Sequence, residues 1–135
     1  MGKNSKAAAI SRVPLFGRCT KRQLTEIAHL ADELDLPAGK ALTKEGSPGR
    51  EFFVILEGGA EVRRNGQLIA SMRGGDFFGE IALVTDVPRT ATVSTTSPVR
   101  VLVLTSRDFR QLLRTSPDIQ GKVLQAVAER LAAIV

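Results

Sequence analysis

A chain of 135 residues is long enough for one domain with a hydrophobic core and too short for two domains of ordinary size. Hydrophobic residues at 43% and charged residues at 24% are typical of a globular protein and exclude a disordered chain. The apolar runs are far shorter than the ~20 residues of a membrane span, and the single cysteine, Cys19, excludes an internal disulfide. We therefore expect a soluble cytoplasmic domain without a membrane span.

The first twelve residues form a predicted basic leader. The net charge of the chain is +5, and several cations precede the first acidic residue, Glu26. Those cations are Lys3, Lys6, Arg12, Arg18, Lys21 and Arg22. Such a segment attracts nucleic acid or anionic lipid without regard to sequence, but charge runs are more often simply solvated. We favour the solvated interpretation, so nucleic acid is disfavoured as a partner.

A helix is predicted over residues 21–32. Thr20 and Gln23 have the spacing of a capping box, in which each side chain bonds to the backbone of the other residue. Apolar residues then recur at helical intervals as far as Leu34. Upstream, Pro14 and Gly17 interrupt an apolar segment, which we expect to be a turn that packs on the core.

From Asp35 onwards, short apolar or alternating runs are separated by turn residues, a pattern typical of antiparallel strands. The predicted strands cover residues 41–44, 51–57, 60–64, 67–72, 90–95 and 99–105. The step Asn65-Gly66 is the clearest turn, because a type I′ hairpin needs two residues that tolerate positive φ. The central part of the chain is therefore predicted to be an antiparallel sandwich or roll.

Two helices are predicted after the strands, the first over residues 106–115. The second begins with Ser116 as its N-cap and Pro117 as its first residue. Its apolar stripe comprises Ile119, Val123, Val127, Leu131 and Ile134. The predicted fold is mainly β: an antiparallel β-roll or jelly-roll with N-terminal helices, a short helix within the roll and two C-terminal helices.

The segment 78–93, FGEIALVTDVPRTATV, has the features of an anion site. Gly79 lacks a side chain and lets the backbone approach a ligand, and the helical turn that follows presents free N–H groups. Arg89, held by Pro88, offers two charge-assisted hydrogen bonds to the same anion. Glu80 would repel the anion and is better suited to accept hydrogen bonds from neutral hydroxyls. Together these groups indicate a sugar phosphate as the ligand.

The alternatives to ligand binding for these residues are structural and not catalytic. Arg89 and Glu80 alone would more often form an internal salt bridge, but the surrounding glycine and helix start favour ligand binding. His29, on the first predicted helix, is expected to pack or face solvent. A metal site in a roll needs several histidines and a carboxylate, and the chain has one histidine. We therefore predict no catalytic residues and no metal, and a protein that is not an enzyme.

The segment 78–93 resembles the phosphate-binding cassette of the cyclic-nucleotide-binding domain family, in which FGE precedes small or apolar residues, PR, and a small residue followed by ATV. The order of helices, glycine-punctuated strands and paired C-terminal helices also resembles that family over nearly the whole chain. The chain is similar to the domains of bacterial cyclic-nucleotide-gated channels, protein kinase regulatory subunits and catabolite-activator-like proteins.

The resemblance implies a role for each cassette residue. Gly79 and Ala82 would donate backbone N–H bonds to the cyclic phosphate, and Arg89 would neutralise it. Glu80 would hold the ribose 2′-hydroxyl, and Thr90 would lie against phosphate and base, permitting cGMP without selecting it. The full set of expected ligand contacts is Gly79, Glu80, Ile81, Ala82, Arg89, Thr90 and Ala91. The implied ligand is cAMP or cGMP, with no other cofactor.

In the family the last helix closes over the base as a lid. The resemblance therefore divides residues 13–135, the binding domain, into a roll with its cassette and the hinge and lid helices over 106–135. Arg130 and Leu131 are the lid candidates. Apolar stripes at helical spacing more often pack on a core or a partner than on a ligand, so packing is the favoured role of this stripe.

The expected function is a non-catalytic cyclic-nucleotide sensor that passes closure through its C-terminal helices to an effector domain, an effector protein or a second copy. One alternative is a degenerate β-roll that serves in protein interaction or oligomerisation without binding nucleotide. Another is a transcription factor of the family, which needs a helix-turn-helix of several tens of residues after the lid helix. No such segment follows the lid helix in the printed sequence.

Overall fold

The computed structural model describes the backbone of residues 2–134 and the side chains of residues 6–132. The side chains of Lys3, in the predicted leader, and Ile134, in the predicted apolar stripe, lie outside the described residues. The helices are α1 (Gly2–Ser11), a 3-10 turn (Pro14–Phe16), α2 (Lys21–Leu30), α3 (Glu80–Thr85), α4 (Ser106–Thr115) and α5 (Pro117–Ile134). The strands are β1 (Asp32–Leu36), β2 (Ala41–Thr43), β3 (Glu51–Glu57), β4 (Gly59–Arg64), β5 (Gln67–Arg73), β6 (Phe77–Phe78), β7 (Thr92–Thr95) and β8 (Val99–Thr105).

The strands form two four-stranded sheets, in the orders β1-β8-β3-β6 and β2-β7-β4-β5. Every strand pairing is antiparallel. Helices flank the roll on both ends of the chain, and α3 lies between β6 and β7 in sequence. The predicted fold class is confirmed.

The strands β3 and β8 are buried on both faces. Phe52 and Val54 of β3 join a core beneath the helices, whereas Phe53 and Ile55 of the same strand join a second core between the sheets. Successive side chains of a strand point to opposite faces, so a strand between two cores carries an unbroken apolar run. The same physical requirement explains why the predicted bounds of both strands, 51–57 and 99–105, are confirmed.

The predicted helix at 21–32 is confirmed in its start but not in its end. The Thr20 and Gln23 side chains form the expected reciprocal capping box, and the helix ends at Leu30 rather than at residue 32. Residues 32–36 form β1, an edge strand paired with β8. Leu34, taken as part of the helical stripe, belongs to this strand and is 43% exposed.

The hairpin between β4 and β5 turns at Asn65 and Gly66, whose φ angles are +52° and +80°. Two consecutive positive φ angles are the requirement of a type I′ turn. The predicted hairpin is therefore confirmed, and it brings β4 and β5 together as one wall of the roll.

The first and last helices, α1 and α5, both contribute to the core beneath the helices. Within the predicted basic leader, residues 2–11 form α1, whose Ile10 is fully buried in the core, and the Lys6 Nζ donates to the Ala31 carbonyl at 2.5 Å. Ser116 caps α5, as predicted, through a bond from the Ile119 N–H to its Oγ. No helix in the described part of the chain is long and apolar enough to cross a membrane.

Candidate ligand-binding site

A cavity of about 280 Å³ opens between the segment 78–93, the hairpin of β4 and β5, and one side chain of α5. It is lined by every residue expected to contact a ligand, namely Gly79, Glu80, Ile81, Ala82, Arg89, Thr90 and Ala91. The fold thus brings together in one cavity the residues that the cassette pattern groups along the chain.

Gly79 precedes α3 and has a φ of +96°, a conformation that favours glycine. A Cβ at this position would lie 2.8 Å from the Glu51 carbonyl oxygen and 2.9 Å from the Arg89 Nη1. Both distances are too short for a side chain. Gly79 is therefore required both to turn the chain into α3 and to let Arg89 approach the backbone.

Arg89 lies beneath the start of α3, with 8% of its surface exposed. Its Nη1 donates to the Gly79 carbonyl at 2.8 Å, and its Nη2 donates to the Glu51 carbonyl at 2.6 Å. Burial lowers the pKa of the guanidinium, although nearby Glu51 and Glu80 act in the opposite direction. The backbone bonds fix the plane of the guanidinium and leave its other N–H groups as donors beside the cavity.

The loop between β2 and β3 forms hydrogen bonds with the backbone of Arg89. The Gly46 N–H donates to the Arg89 carbonyl and the Arg89 N–H donates to the Ser47 carbonyl, both at 2.8 Å. A Cβ on Gly49 would lie 2.4 Å from the Ala82 Cβ and 3.0 Å from the Arg89 guanidinium. No role for this loop was predicted from the sequence, although its two glycines, Gly46 and Gly49, are a signal for a close backbone approach.

Glu80, the first residue of α3, is 1% exposed. Its carboxylate accepts a hydrogen bond from the Arg130 Nη1, and the Arg130 Nη2 donates to the Phe77 carbonyl at 2.6 Å. Desolvation raises the pKa of Glu80, and the opposing charges of Arg130 and Arg89 only partly offset this effect. Glu80 therefore pairs with Arg130 of α5, and the alternative of a Glu80–Arg89 salt bridge is not what the structure shows.

The two lid candidates occupy different environments. Arg130 lines the cavity and packs over the Phe77 ring, 5.0 Å from its centroid. Leu131 is 37% exposed and lies outside the cavity lining. Neighbouring residues on a helix point about 100° apart. Because Arg130 faces α3, Leu131 points away from the cavity.

The wall opposite the cassette was not identified from the sequence. It consists of Thr43, Val62, Arg64, Ile69, Ala70, Met72 and Val93. The signal was present in the strand alternation, because Val62 and Arg64 are two residues apart on β4 and so share a face. The wall is mainly apolar, which suits the face of a planar ring.

The electrostatics of the cavity favour an anionic ligand. Glu80 is paired with Arg130, whereas the hydrogen bonds of the Arg89 guanidinium go to neutral carbonyl groups and not to a carboxylate. The first N–H groups of a helix have no intrahelical partner, and those of α3 begin beside the same guanidinium. The cavity thus offers Arg89 and the N–H groups of α3 for a phosphate, Glu80 for a hydroxyl, and the apolar wall for a planar ring.

Comparisons with known proteins identify the family of this chain. The family model described as cyclic nucleotide-binding domain matches residues 33–116, more than half of the chain. A cyclic nucleotide-gated potassium channel of Mesorhizobium japonicum is 35% identical over 124 residues, covering 92% of this chain and 34% of the channel. A cAMP-dependent protein kinase regulatory subunit of Mycosarcoma maydis is 36% identical over 110 residues, covering 75% of this chain and 21% of that subunit.

A similar fold occurs in solved structures. The cAMP-bound structure of PfPKA-R superposes with a TM-score of 0.86 over 98% of this chain and 47% of that one, at 24% identity. In sequence, this chain spans about a third or less of the length of the potassium channel and of the kinase regulatory subunit. The roll, the family match over residues 33–116 and the identity to these relatives lead to one conclusion: the chain belongs to the cyclic nucleotide-binding domain family.

Proposed function

We propose that this chain is a non-catalytic regulatory module that binds cAMP or cGMP in the cavity and relays binding through α4 and α5. The observation that carries the proposal is the arrangement of Arg89 at the start of α3, next to the buried carboxylate of Glu80. Relatives named as cyclic nucleotide-gated and cAMP-dependent support a cyclic nucleotide as the ligand.

The cyclic phosphate would lie between the N–H groups of α3 and the guanidinium of Arg89. The phosphate would accept from the Gly79 and Ala82 amides and from those guanidinium N–H groups that do not bond to carbonyls. Because Arg89 is already fixed by the Gly79 and Glu51 carbonyls, little side-chain entropy would be lost on binding. Thr90 and Ala91 would flank the phosphate where they line the cavity.

The ribose would bond to Glu80 through its 2′-hydroxyl. A carboxylate has two oxygens, each able to accept more than one hydrogen bond, so Glu80 would bind the hydroxyl and keep its bond from Arg130. Arg130 would thereby sense an occupied ribose site and act as the lid residue of α5. Leu131, the second candidate, would contact ligand only after α5 rotates or shifts.

The relay would run from α3 to α4 by packing. Ile81 and Leu83 of α3 share one buried cluster with Phe109 and Leu112 of α4. The Arg110 guanidinium of α4 also donates to the Leu83 carbonyl and to the Asp86 carboxylate, each at 3.3 Å. A ligand that draws α3 inward would displace α4 and α5, to the extent that it binds the closed state more tightly. An effector domain, an effector protein or a second copy would receive this movement.

Isothermal titration calorimetry with cAMP and cGMP tests the proposal. Removal of Arg89 leaves the phosphate without its main counter-charge, which costs about 3 to 5 kcal/mol, so the Arg89→Ala variant should lose roughly two to three and a half decades of affinity. Arg100→Ala is the matched control, because Arg100 is an exposed arginine that pairs with Asp35 away from the cavity.

Two outcomes would contradict the proposal. A loss below about fivefold in a folded Arg89→Ala variant would remove Arg89 from the phosphate site, since a lost charge pair costs far more. The absence of heat with either nucleotide at millimolar concentration would instead favour the degenerate β-roll that serves in protein interaction. Circular dichroism of each variant establishes that it is folded.

A further inference from the structure

The turn of the hairpin of β4 and β5 is bonded to the loop between β2 and β3 by one side chain. The Glu45 carboxylate accepts a hydrogen bond from the Asn65 N–H at 2.9 Å. Asn65 lies in the turn, whereas the ladder of the hairpin ends with the pair Arg64 and Gln67. The bond from Asn65 is therefore not part of the strand pairing, and it joins the hairpin to another part of the fold.

The end of this hairpin extends beyond its neighbouring strand. The strand β4 pairs with β7 as far as Arg63, which lies opposite Thr92, and β5 is the edge strand of its sheet. In the described part of the chain, residues 64–69 thus have strand partners only within the hairpin. Two strands alone are marginally stable in water, so a contact at the turn influences where this end of the hairpin lies.

The same end of the hairpin forms part of the cavity. Arg64 and Ile69 line the cavity on the side opposite the cassette. Ile69 is 52% exposed, so packing in a core does not fix its position. A movement of the hairpin end would therefore change the width of the cavity between this wall and α3.

The loop that carries Glu45 is itself fixed by hydrogen bonds. The Glu45 N–H donates to the Thr92 Oγ1 at 3.0 Å, and the next two residues, Gly46 and Ser47, bond to the backbone of Arg89. Three consecutive loop residues thus contact the hairpin turn, β7 and the cassette. A side chain whose own backbone is held in this way can position its partner.

We propose that Glu45 is a positioning residue of the ligand cavity, which holds the end of the hairpin of β4 and β5 at a fixed distance from the cassette. Glu45 is not part of the cavity lining, so it acts through the Asn65 backbone and not by contact with the ligand. A wall that is already in place costs less free energy to order when a planar ring binds against it. This inference rests on the proposed function, since it concerns the same cavity and ligand.

Three substitutions separate the reach of the Glu45 side chain from its charge. Glu45→Gln keeps the length and an acceptor oxygen but removes the charge. Glu45→Asp keeps the charge but is one methylene shorter, and Glu45→Ala removes both the acceptor and the charge. If the carboxylate acts by accepting the bond from Asn65, Glu45→Gln should resemble wild type, and Glu45→Asp should resemble Glu45→Ala.

Amide hydrogen exchange of Asn65, measured by NMR without ligand, reports the bond directly. Exchange should be roughly 2- to 10-fold faster in Glu45→Ala and Glu45→Asp than in wild type, the worth of one hydrogen bond. Calorimetry with cAMP and cGMP should show an affinity that is also roughly 2- to 10-fold lower in these two variants, because binding must then order the hairpin. Melting temperatures without ligand should differ little, since Glu45 is exposed.

Glu45→Gln should keep both the exchange rate and the affinity within about twofold of wild type. An equal loss in Glu45→Gln would overturn the inference, because it would assign the effect to charge. Wild-type affinity in a folded Glu45→Ala variant would overturn it too, since the contact would then be merely structural. If Glu45→Ala does not fold, Glu45→Asp provides the same comparison.

The two measurements also separate this inference from the proposed function. Unchanged Asn65 exchange in Glu45→Ala would overturn the inference alone, whether or not a nucleotide binds. The absence of cAMP and cGMP binding by folded wild type would overturn the proposed function, and the role of Glu45 in ligand binding with it.

Discussion

Some residues beside the ligand site leave no room for a larger side chain, so substitutions there should have large effects on binding. Gly49 is the strongest case outside the cassette itself, because its Cα hydrogens face both Ala82 and Arg89. An added methyl group would be 2.4 Å from the Ala82 Cβ. Either α3 or the loop between β2 and β3 must then shift.

We predict that Gly49→Ala weakens nucleotide binding by at least about tenfold, because a displaced Arg89 loses its alignment with the phosphate. The measurement is calorimetry with the nucleotide that binds wild type. Gly39→Ala is the matched control, since Gly39 lies in a turn where nothing within 4 Å would meet an added Cβ. Alanine is strained at this φ of +82°, but Gly39 does not line the cavity. Equal affinities in wild type and Gly49→Ala would contradict the assigned role.

Glu80 gives a pH dependence whose sign follows from its burial. Desolvation raises the pKa of the folded carboxyl above its ordinary value, so the folded state holds this proton more tightly than the unfolded state does. The contribution to stability is therefore fully present below the ordinary glutamate pKa of about 4.3 and is lost as the pH rises through the folded pKa. We predict that the melting temperature of wild type, relative to Glu80→Gln, falls over this range. A difference that stays constant with pH would contradict it.

Some residues of the site could be predicted from the sequence, and others could not. Gly79, Glu80 and Arg89 were identifiable because a glycine before a helix start and an arginine after a proline carry their chemistry in the sequence. Arg64 and Gly49 were missed, because each lies beside segments that are distant from it along the chain. Only the folded register of the strands brings such residues to the cavity.

At the scale of elements, α5 is joined to the cassette by one side chain. Arg130 bonds to both the Glu80 carboxylate and the Phe77 carbonyl. Without the Arg130 side chain, the Glu80 carboxylate, which is 1% exposed, would lose its paired cation. We predict that Arg130→Ala lowers the free energy of unfolding by about 1 to 3 kcal/mol, as measured by urea denaturation.

A double-mutant cycle isolates this contact. If Arg130 stabilises the protein through Glu80, the Arg130→Ala and Glu80→Gln effects should be far from additive. Arg114→Ala, at an exposed arginine of α4, should change the unfolding free energy by less than about 0.5 kcal/mol. Additive effects of the two substitutions would show that Arg130 acts elsewhere.

Elements were predictable where the burial pattern was unambiguous. The bounds of β3 and β8 followed from apolar runs that two cores require. The strand β1 was missed because its sequence, DELDL, is exposed except at Leu36 and continues the helical spacing that precedes it. Its place in the sheet depends on pairing with β8, a tertiary contact that local pattern does not carry.

At the scale of the whole molecule, ligand binding should stabilise the fold. A ligand at 100 times its dissociation constant adds about 2.7 kcal/mol to the free energy of unfolding, which raises the melting temperature by on the order of 10 °C for a domain of this size. We predict such a rise for wild type with the preferred cyclic nucleotide, measured by scanning calorimetry. The Arg89→Ala variant serves as the control and should show almost none. An equal rise in both proteins would place the nucleotide outside the cavity.

The two separate cores of the roll have a consequence for how the protein can be altered. Met72, Val62 and Val93 of the ligand cavity belong to the core between the sheets, whereas Leu83, Phe109 and Leu112 belong to the core beneath the helices. Substitutions at sites without shared contacts have nearly independent effects. Substitutions at Val62 or Met72 should therefore act almost independently of those at Phe109 or Leu112, whereas Ile81 lines the cavity and also packs in the core beneath the helices. An engineer could thus retune the choice of ligand and the strength of the response one at a time, provided that Ile81 is left unchanged.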